Sequence, residues 1–395
     1  MRKVYLDYSA TTPVKKEVLD AMIPYFTEHY GNPSSIYSIG AESKEAIYEA
    51  RERIAELIGS KPEEIFFTGC GTEADNWVFF GVSDKLREKG KHIITSKIEH
   101  HAILHSAEFL EKHGFEVTYL DVDKEGFVDP KELENAIRPD TVLVSVMLVN
   151  NEVGTIEPVK ELSEIAHKHG VLFHTDAVQA LGNVPIDVKE MGIDLMSMSA
   201  HKIYGPKGVG ALYIKKGVQL SNYMHGGAQE GKHRAGTENL ASIVGFGKAA
   251  ELARLNFDAH VKHSSELRDY FADRVLKEIP LTFMNGSREK RHPGNANITF
   301  ELIEGESILI LLDMAGIQIS TGSACNSTSL TPSHVLTALG VPYEKIHGSV
   351  RFTVGDMTTK EDLDYTVEEL KKVVEKLRSI TSMTTEAYGS VKTNF

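Results

Sequence analysis

The run TVLVSVMLV at 141–149, the amphipathic stretch Val159–His169 and the run VLFHT at 171–175 together decide the fold. The two outer runs are apolar at nearly every position. Such a run is buried on both faces, which is how a strand inside a parallel sheet reads. The stretch between them alternates apolar and charged residues at helical spacing and is long enough for a crossover joining two parallel strands. The same unit repeats outward. Toward the N-terminus come Ile65–Thr68 with a helix from about Glu73, His92–Thr95 with a helix from about Ala102, and Glu116–Leu120 with Pro130–Ile137. Toward the C-terminus come Leu195–Ser199 and Gly210–Ile214. These runs predict an α/β fold, a mainly parallel seven-stranded sheet sandwiched by helices.

The flanks read differently. Residues 15–60 look helical and polar-faced, with a break at Gly31–Ser34. After Thr237 a long helical pattern runs to about Lys277. Beyond it, strands Ala296–Glu301, Gln318–Ser320 and Ser349–Thr353 mix with helices Ser307–Met314, Ser333–Leu339 and Lys360–Ser379. That mixture predicts a smaller α+β domain. The expected division is 15–257 for the large domain, and 1–14 with 258–395 for the small one.

Composition narrows the class. Of 395 residues, 41% are hydrophobic and 25% charged, values of a soluble chain with a large core. Lys+Arg is 43 and Asp+Glu 56, a net charge of −13. That balance argues against direct nucleic-acid or membrane-surface binding. No apolar run approaches the ~20 residues that span a bilayer, and the opening MRKVYLDYSATTP carries no signal-peptide core. Two cysteines, Cys70 and Cys325, cannot build a disulfide framework or a four-thiolate metal site, so the expectation is a reducing cytoplasm and free thiols.

Ligands of α/β sheets sit beyond the carboxyl ends of the strands, so the residues after each run matter most. After Thr68, Gly69-Cys70-Gly71-Thr72-Glu73 opens a helix; Gly71 lets backbone amides approach an anion and Thr72 adds a hydroxyl. Cys70 reads as a structural cysteine tucked behind its strand. After Thr95 comes Glu99-His100-His101, with His105 one turn on. His101 and His105 lack a third metal ligand, while an imidazole at position 100 is placed to stack on a flat cofactor. Asn150-Asn151 forms a turn, or points an amide into a cleft. Asp176 and Gln179 follow the fifth run; such an acid serves as a cap, a metal ligand, or a partner for a protonated ring nitrogen. Lys202, wedged between Ser199-Ala200-His201 and a Gly-rich turn, is a candidate Schiff-base amine. GGAQEGKH at 226–233 nearly spells a phosphate-binding loop, but His233 replaces the Ser or Thr that binds Mg²⁺, so nucleotide hydrolysis is excluded. Cys325, within the small and polar STGSACNSTSLTPS at 320–333, reads as a reactive thiol. Arg351, inside a strand pattern, needs a partner: a structural ion pair or a substrate carboxylate.

Taken in order, LDYSATTP (6–13), HTDAVQ (174–179), SAHKIYGPKG (199–208), GGAQE with RAGT (226–230, 234–237) and SAC (323–325) resemble the fold-type-I pyridoxal phosphate (PLP) enzymes of the class V aminotransferase superfamily, and within it the NifS/IscS-like cysteine desulfurases. The likeness runs nearly the whole chain. It implies that Lys202 holds PLP, Asp176 keeps the pyridine nitrogen protonated, Gln179 contacts the ring hydroxyl and His100 stacks on the ring. Thr72, Ser199 and His201 would bind the phosphate, and Thr237 would reach the phosphate of a second subunit, giving a homodimer. Asn151 and Arg351 would hold the carboxylate of L-cysteine. Cys325 would take its sulfur as a persulfide, alanine would leave, and Lys202 and His100 would serve as acid or base. The sulfur would pass to an acceptor protein for iron–sulfur cluster assembly or tRNA thiolation. No resident metal is implied; Cys325 would at most lend its thiolate in passing to a cluster iron on a partner. The alternative on the same scaffold is a selenocysteine lyase or another PLP-dependent β-elimination enzyme. Asn326 after Cys325 and Thr331 before Pro332 depart from the group's common pattern, which puts the choice of acceptor in doubt.

Overall fold

A computed structural model describes residues 2–321 and 332–381. The seven expected runs form one sheet. Its order across is Ile65–Thr68, Gly210–Ile214, Leu195–Ser199, Leu172–Asp176, Thr141–Ser145, His92–Ser96 and Glu116–Leu120. All strands are parallel except Gly210–Ile214, which runs against both neighbours. Alternation assigns the two faces. Ile93, Leu143, Leu195 and Leu212 pack with Trp77 and Phe79 of helix Gly71–Lys85. Ile94, Val144, Met196 and Tyr213 pack with Ile54 and Phe246 on the opposite face. Both faces are covered, so nearly every strand position outside Glu116–Leu120 is buried, polar positions such as Ser145, His174 and Ser197 included.

A second sheet is antiparallel throughout, in the order Ser320–Thr321, Ser349–Thr353, Asn295–Phe300, Thr282–Met284. Its own core joins Ile298 and Phe352 to Phe271 of helix Phe257–Glu278 and to Leu363 and Leu370 of helix Lys360–Ile380. The latter helix starts on a capping box, in which Thr359 accepts from the Asp362 amide and Asp362 from that of Thr359.

The structure departs from the sequence reading in four places. The ladder of the central run stops at Ser145; Val146 and Leu148 continue by donating to the carbonyls of His174 and Asp176. The helical pattern after Thr237 is two helices, Leu240–Leu255 and Phe257–Glu278, broken at Asn256. The expected strand at 318–320 is two: Ile317–Gln318 pairs with Val4–Tyr5, and Ser320–Thr321 pairs with Ser349–Thr353. Strands Thr282–Met284 and Val4–Tyr5 are too short to show a period and went unpredicted. Val4–Tyr5 and Ile317–Gln318 form a small parallel sheet of their own, and it matters for the site because residues 6–13 run from it over the carboxyl ends of the large sheet.

Candidate active site

Every candidate residue except Thr237 and Cys325 lines one cavity of about 340 Å³ at the carboxyl ends of the large sheet. Cys325 lies outside the described residues. Thr237 is exposed and does not line this cavity.

The turn after the strand Ile65–Thr68 supplies one wall. Helix Gly71–Lys85 begins there, and a Cβ on Gly71 would come within 2.6 Å of a Val178 methyl. The backbone therefore approaches as closely as only glycine allows. Opposite it, the Ser199 hydroxyl is buried and has no hydrogen-bond partner among the described residues. A buried donor without a partner in a cavity beside a helix N-terminus is the polar setting an anion completes. Cys70 belongs to this wall. It is exposed to the cavity rather than buried behind the strand, which corrects its reading as a structural thiol: as the residue before the first helical turn it faces the ligand space, not the core.

Asp176 ends its strand with only 5% of its surface exposed. Its Oδ1 accepts from the Val178 amide at 2.8 Å. Burial pushes its pKa up to about 6, against the pull of the Val178 amide and Lys202. Lys202 donates to the carbonyl of Ala10 at 2.9 Å and to that of Ser9. Gln179 donates to the same Ser9 carbonyl at 2.8 Å. His201 faces the Thr11 hydroxyl at 3.1 Å, while its own carbonyl accepts from Thr12. Residues 9–12 are thus a strap tied to three candidate side chains at once. Sequence reasoning assigned the strap no role; a stretch of small and hydroxyl residues carries no period or charge signal that would reveal one.

His100 caps helix His101–Glu111 through Nδ1, which accepts from the Ala102 amide at 3.1 Å. That bond places the ring proton on Nε2. Burial, with Lys202 next, lowers its pKa to about 4, so the ring is a neutral imidazole. Burial followed by Lys202 and Lys207 lowers His201 to about 4 as well. His101 and His105 stack with ring centres 5.0 Å apart, and no metal-binding cluster exists among the described residues.

Arg351 reaches the cavity from the second sheet. Its Nη1 donates to the Asn151 carbonyl at 2.8 Å and its Nη2 to Asp7 at 2.9 Å. Its Nε is buried with no partner among the described residues. Of the two readings of this residue, the structural ion pair is present, and Nε remains as a donor without a partner among the described residues. Glu152, next to Asn151, is a further buried acid: it accepts from the Ser333 hydroxyl at 2.6 Å, and burial lifts its pKa to about 7. The stretch resembling a phosphate loop serves packing instead. Glu230 accepts from the Phe67 amide at 2.8 Å and pairs with Arg51.

A cavity with a lysine amine, a buried aspartate, an anion cradle and a flat imidazole fits pyridoxal phosphate. The comparisons agree. The family model for class-V aminotransferases matches residues 4–366, and the chain belongs to that family, whose members depend on pyridoxal phosphate. The chain is 58% identical over 379 residues to the cysteine desulfurase IscS of Dictyoglomus turgidum, covering 96% of each. Its fold matches a solved NifS-like protein at a TM-score of 0.90 and 37% identity, covering 95% of this chain and all of the other. It also matches SspA in complex with cysteine at 0.80 and 36%, covering 90% and 100%.

Proposed function

We propose that this chain is a pyridoxal phosphate-dependent cysteine desulfurase. The observation that carries the reading is the convergence of Lys202, Asp176 and the partnerless Arg351 Nε on one cavity. Lys202 would hold the coenzyme through its amine. Asp176 would pair with the ring nitrogen and Gln179 with the ring hydroxyl. His100 would lie on the ring, and Thr72, Ser199, His201 and the Gly71 amide would take the phosphate. The coenzyme, when bound, withdraws electrons from the substrate's α-carbon and so makes that carbon's proton acidic.

This chain's own residues would do the rest. Arg351 and Asn151 anchor the cysteine carboxylate. Lys202, or His100 in its neutral form, carries the proton to and from carbon. The Cys325 thiolate attacks the substrate sulfur: an S–S bond forms as the Cβ–S bond breaks, the electron pair stays with carbon, and a proton completes alanine. Cys325 keeps the sulfur as a persulfide and passes it to an acceptor protein, in iron–sulfur assembly or tRNA thiolation.

Thr237, exposed and outside the cavity, is available to the phosphate site of a second copy in a homodimer. Two units, 15–257 and 1–14 with 258–395, would carry the coenzyme wall and the Arg351 wall respectively; their separate main cores support that division, and a smaller cluster joins Ile98, Met147 and Val153 of the first to Val335, Leu336 and Leu339 of the second. Among the described residues no helix is long and apolar enough to cross a membrane, which is in keeping with a cytoplasmic enzyme. The test is mass spectrometry after exposure to L-cysteine. The peptide holding Cys325 should gain one sulfur, about 32 Da. Alanine formed with no such gain would refute the persulfide.

A further inference from the structure

A second buried carboxyl group borders the cavity, and the reaction just described does not use it. Asp75 lies in the second turn of helix Gly71–Lys85, 1% exposed, and lines the same cavity as Asp176. The sheet assembles its surroundings by alternation. His174 and Asp176 are two apart on one strand and share a face. Ser145 pairs in register with His174, and Ser197 with Asp176, in the adjoining strands. The His174 ring sits between hydroxyls: Ser145 Oγ is 2.8 Å from Nδ1 and Ser197 Oγ 3.1 Å from Nε2. The Ser197 hydroxyl also supports the Asp75 carboxyl. The Asp75 Oδ1 is buried with no hydrogen-bond partner among the described residues, 3.9 Å from His174 Nε2.

Only some charge states suit this cluster. Burial drives His174 down to about 3, so it offers Asp75 no cation. Burial, the largest cause, holds Asp75 well above the carboxylate range, and the charge of Asp176 presses it the same way. Glu99 is itself lifted to about 8 by burial. The cavity's other titratable groups do not relieve Asp75: His100 and His201 are neutral, and Arg351 is engaged by Asp7. Lys202 acts on Asp176, which the Val178 amide also supports. Two buried carboxylates on one cavity do not both ionise at low cost. One proton serves the two, and the amide and the lysine draw the charge to Asp176.

We propose that Asp75 and Asp176 act as one acid–carboxylate pair, with the proton on Asp75 and the charge on Asp176, so that Asp75 is a positioning residue fixing the charge offered to a pyridine nitrogen. The proposal rests on the reading of Asp176 given above. Its consequence is that Asp176 stays anionic without a second buried cation, because its neighbour absorbs the proton instead.

Infrared difference spectroscopy on the full-length chain tests this without turnover. Glu152 and Glu157 contribute to every spectrum and cancel in the difference, while Glu99, which Asp176 also pushes up, is assigned from its own variant Glu99→Gln. At neutral pH, parent minus Asp75→Asn should show one protonated-carboxyl stretch, lost in the variant. In Asp176→Asn the same stretch should persist and titrate away at a pH lower by about one unit or more, since the like charge is gone. Should Asp75→Asn fail to fold, that titration decides alone, and an unshifted curve overturns the proposal. A stretch lost in Asp176→Asn and kept in Asp75→Asn would also overturn it, because the proton would then sit on the wrong partner. Failure of the underlying reading looks different: the parent chain would then take up pyridoxal phosphate and keep an unaltered visible spectrum in Asp176→Asn.

Discussion

Replacing Arg351 by alanine separates the two duties of that side chain. Its guanidinium is 7% exposed and bridges Asp7 and the Asn151 carbonyl, with Nε left over for a ligand. A hydrogen bond to a charged partner contributes ~1.5–3 kcal/mol. Loss of the substrate carboxylate's anchor should therefore lower kcat/KM by roughly 10- to 150-fold, at ~1.4 kcal/mol per decade. Most of that loss should fall on KM, since anchorage acts on the bound ground state as well as on the transition state. Stability changes too. Removing one partner of a buried ion pair costs ~3–5 kcal/mol, but Asp7 keeps 18% of its side chain in water, so the cost should lie at or below the lower end. Arg351→Lys keeps the charge and loses the fork; it should fold like the parent yet recover only part of the affinity. The assay is alanine formation against cysteine concentration, read beside a melting curve. Parental KM in Arg351→Ala with a reduced kcat would refute anchorage and leave only the ion pair.

Three further outcomes are expected. Lys202→Ala should lose the yellow chromophore of the loaded enzyme; an unaltered visible spectrum would remove Lys202 from its role. Cys325→Ala should form no persulfide and lose alanine production, measured by amino-acid analysis; parental rates would favour a β-elimination without a protein thiol. Asp356 contacts His260 and Lys15, and although burial opposes them, these partners hold its pKa down to about 2, against 3.8 for the unperturbed group. The folded chain then binds fewer protons than the unfolded one across that interval. The resulting stabilisation, about 2 kcal/mol, is present above pH ~4 and lost as pH falls toward 2. Melting temperatures of Asp356→Asn and the parent should diverge above pH 4 and converge in acid; a gap independent of pH would disprove the linkage.

Much of this was legible in the residues. Strands buried on two faces announce themselves by apolar runs, and the residues just past those runs mark the ligand space, which is why Thr72, His100, Asp176 and Lys202, expected there from the sequence, line one cavity. What escaped depends on distant chain meeting distant chain. Asp7 pairs with Arg351 across 344 positions, and nothing local in LDYSATTP says so. Asp75 looks like an ordinary helical polar residue until the sheet beneath it is known. Cys70 was misjudged because a position behind a strand and one facing a cavity differ only in the direction of a turn. The split at Asn256 was hidden because both helices share the periodicity of one.

The strap has a bearing on how the two sheets are coupled. Residues 9 and 10 grip the lysine, while distant chain sets their own footing: Val4–Tyr5 pairs with Ile317–Gln318, and the Ser9 amide donates to the Thr353 hydroxyl. The amine at the carboxyl ends of the large sheet is thereby held through chain that the antiparallel sheet anchors, so loosening that sheet loosens the grip on the lysine.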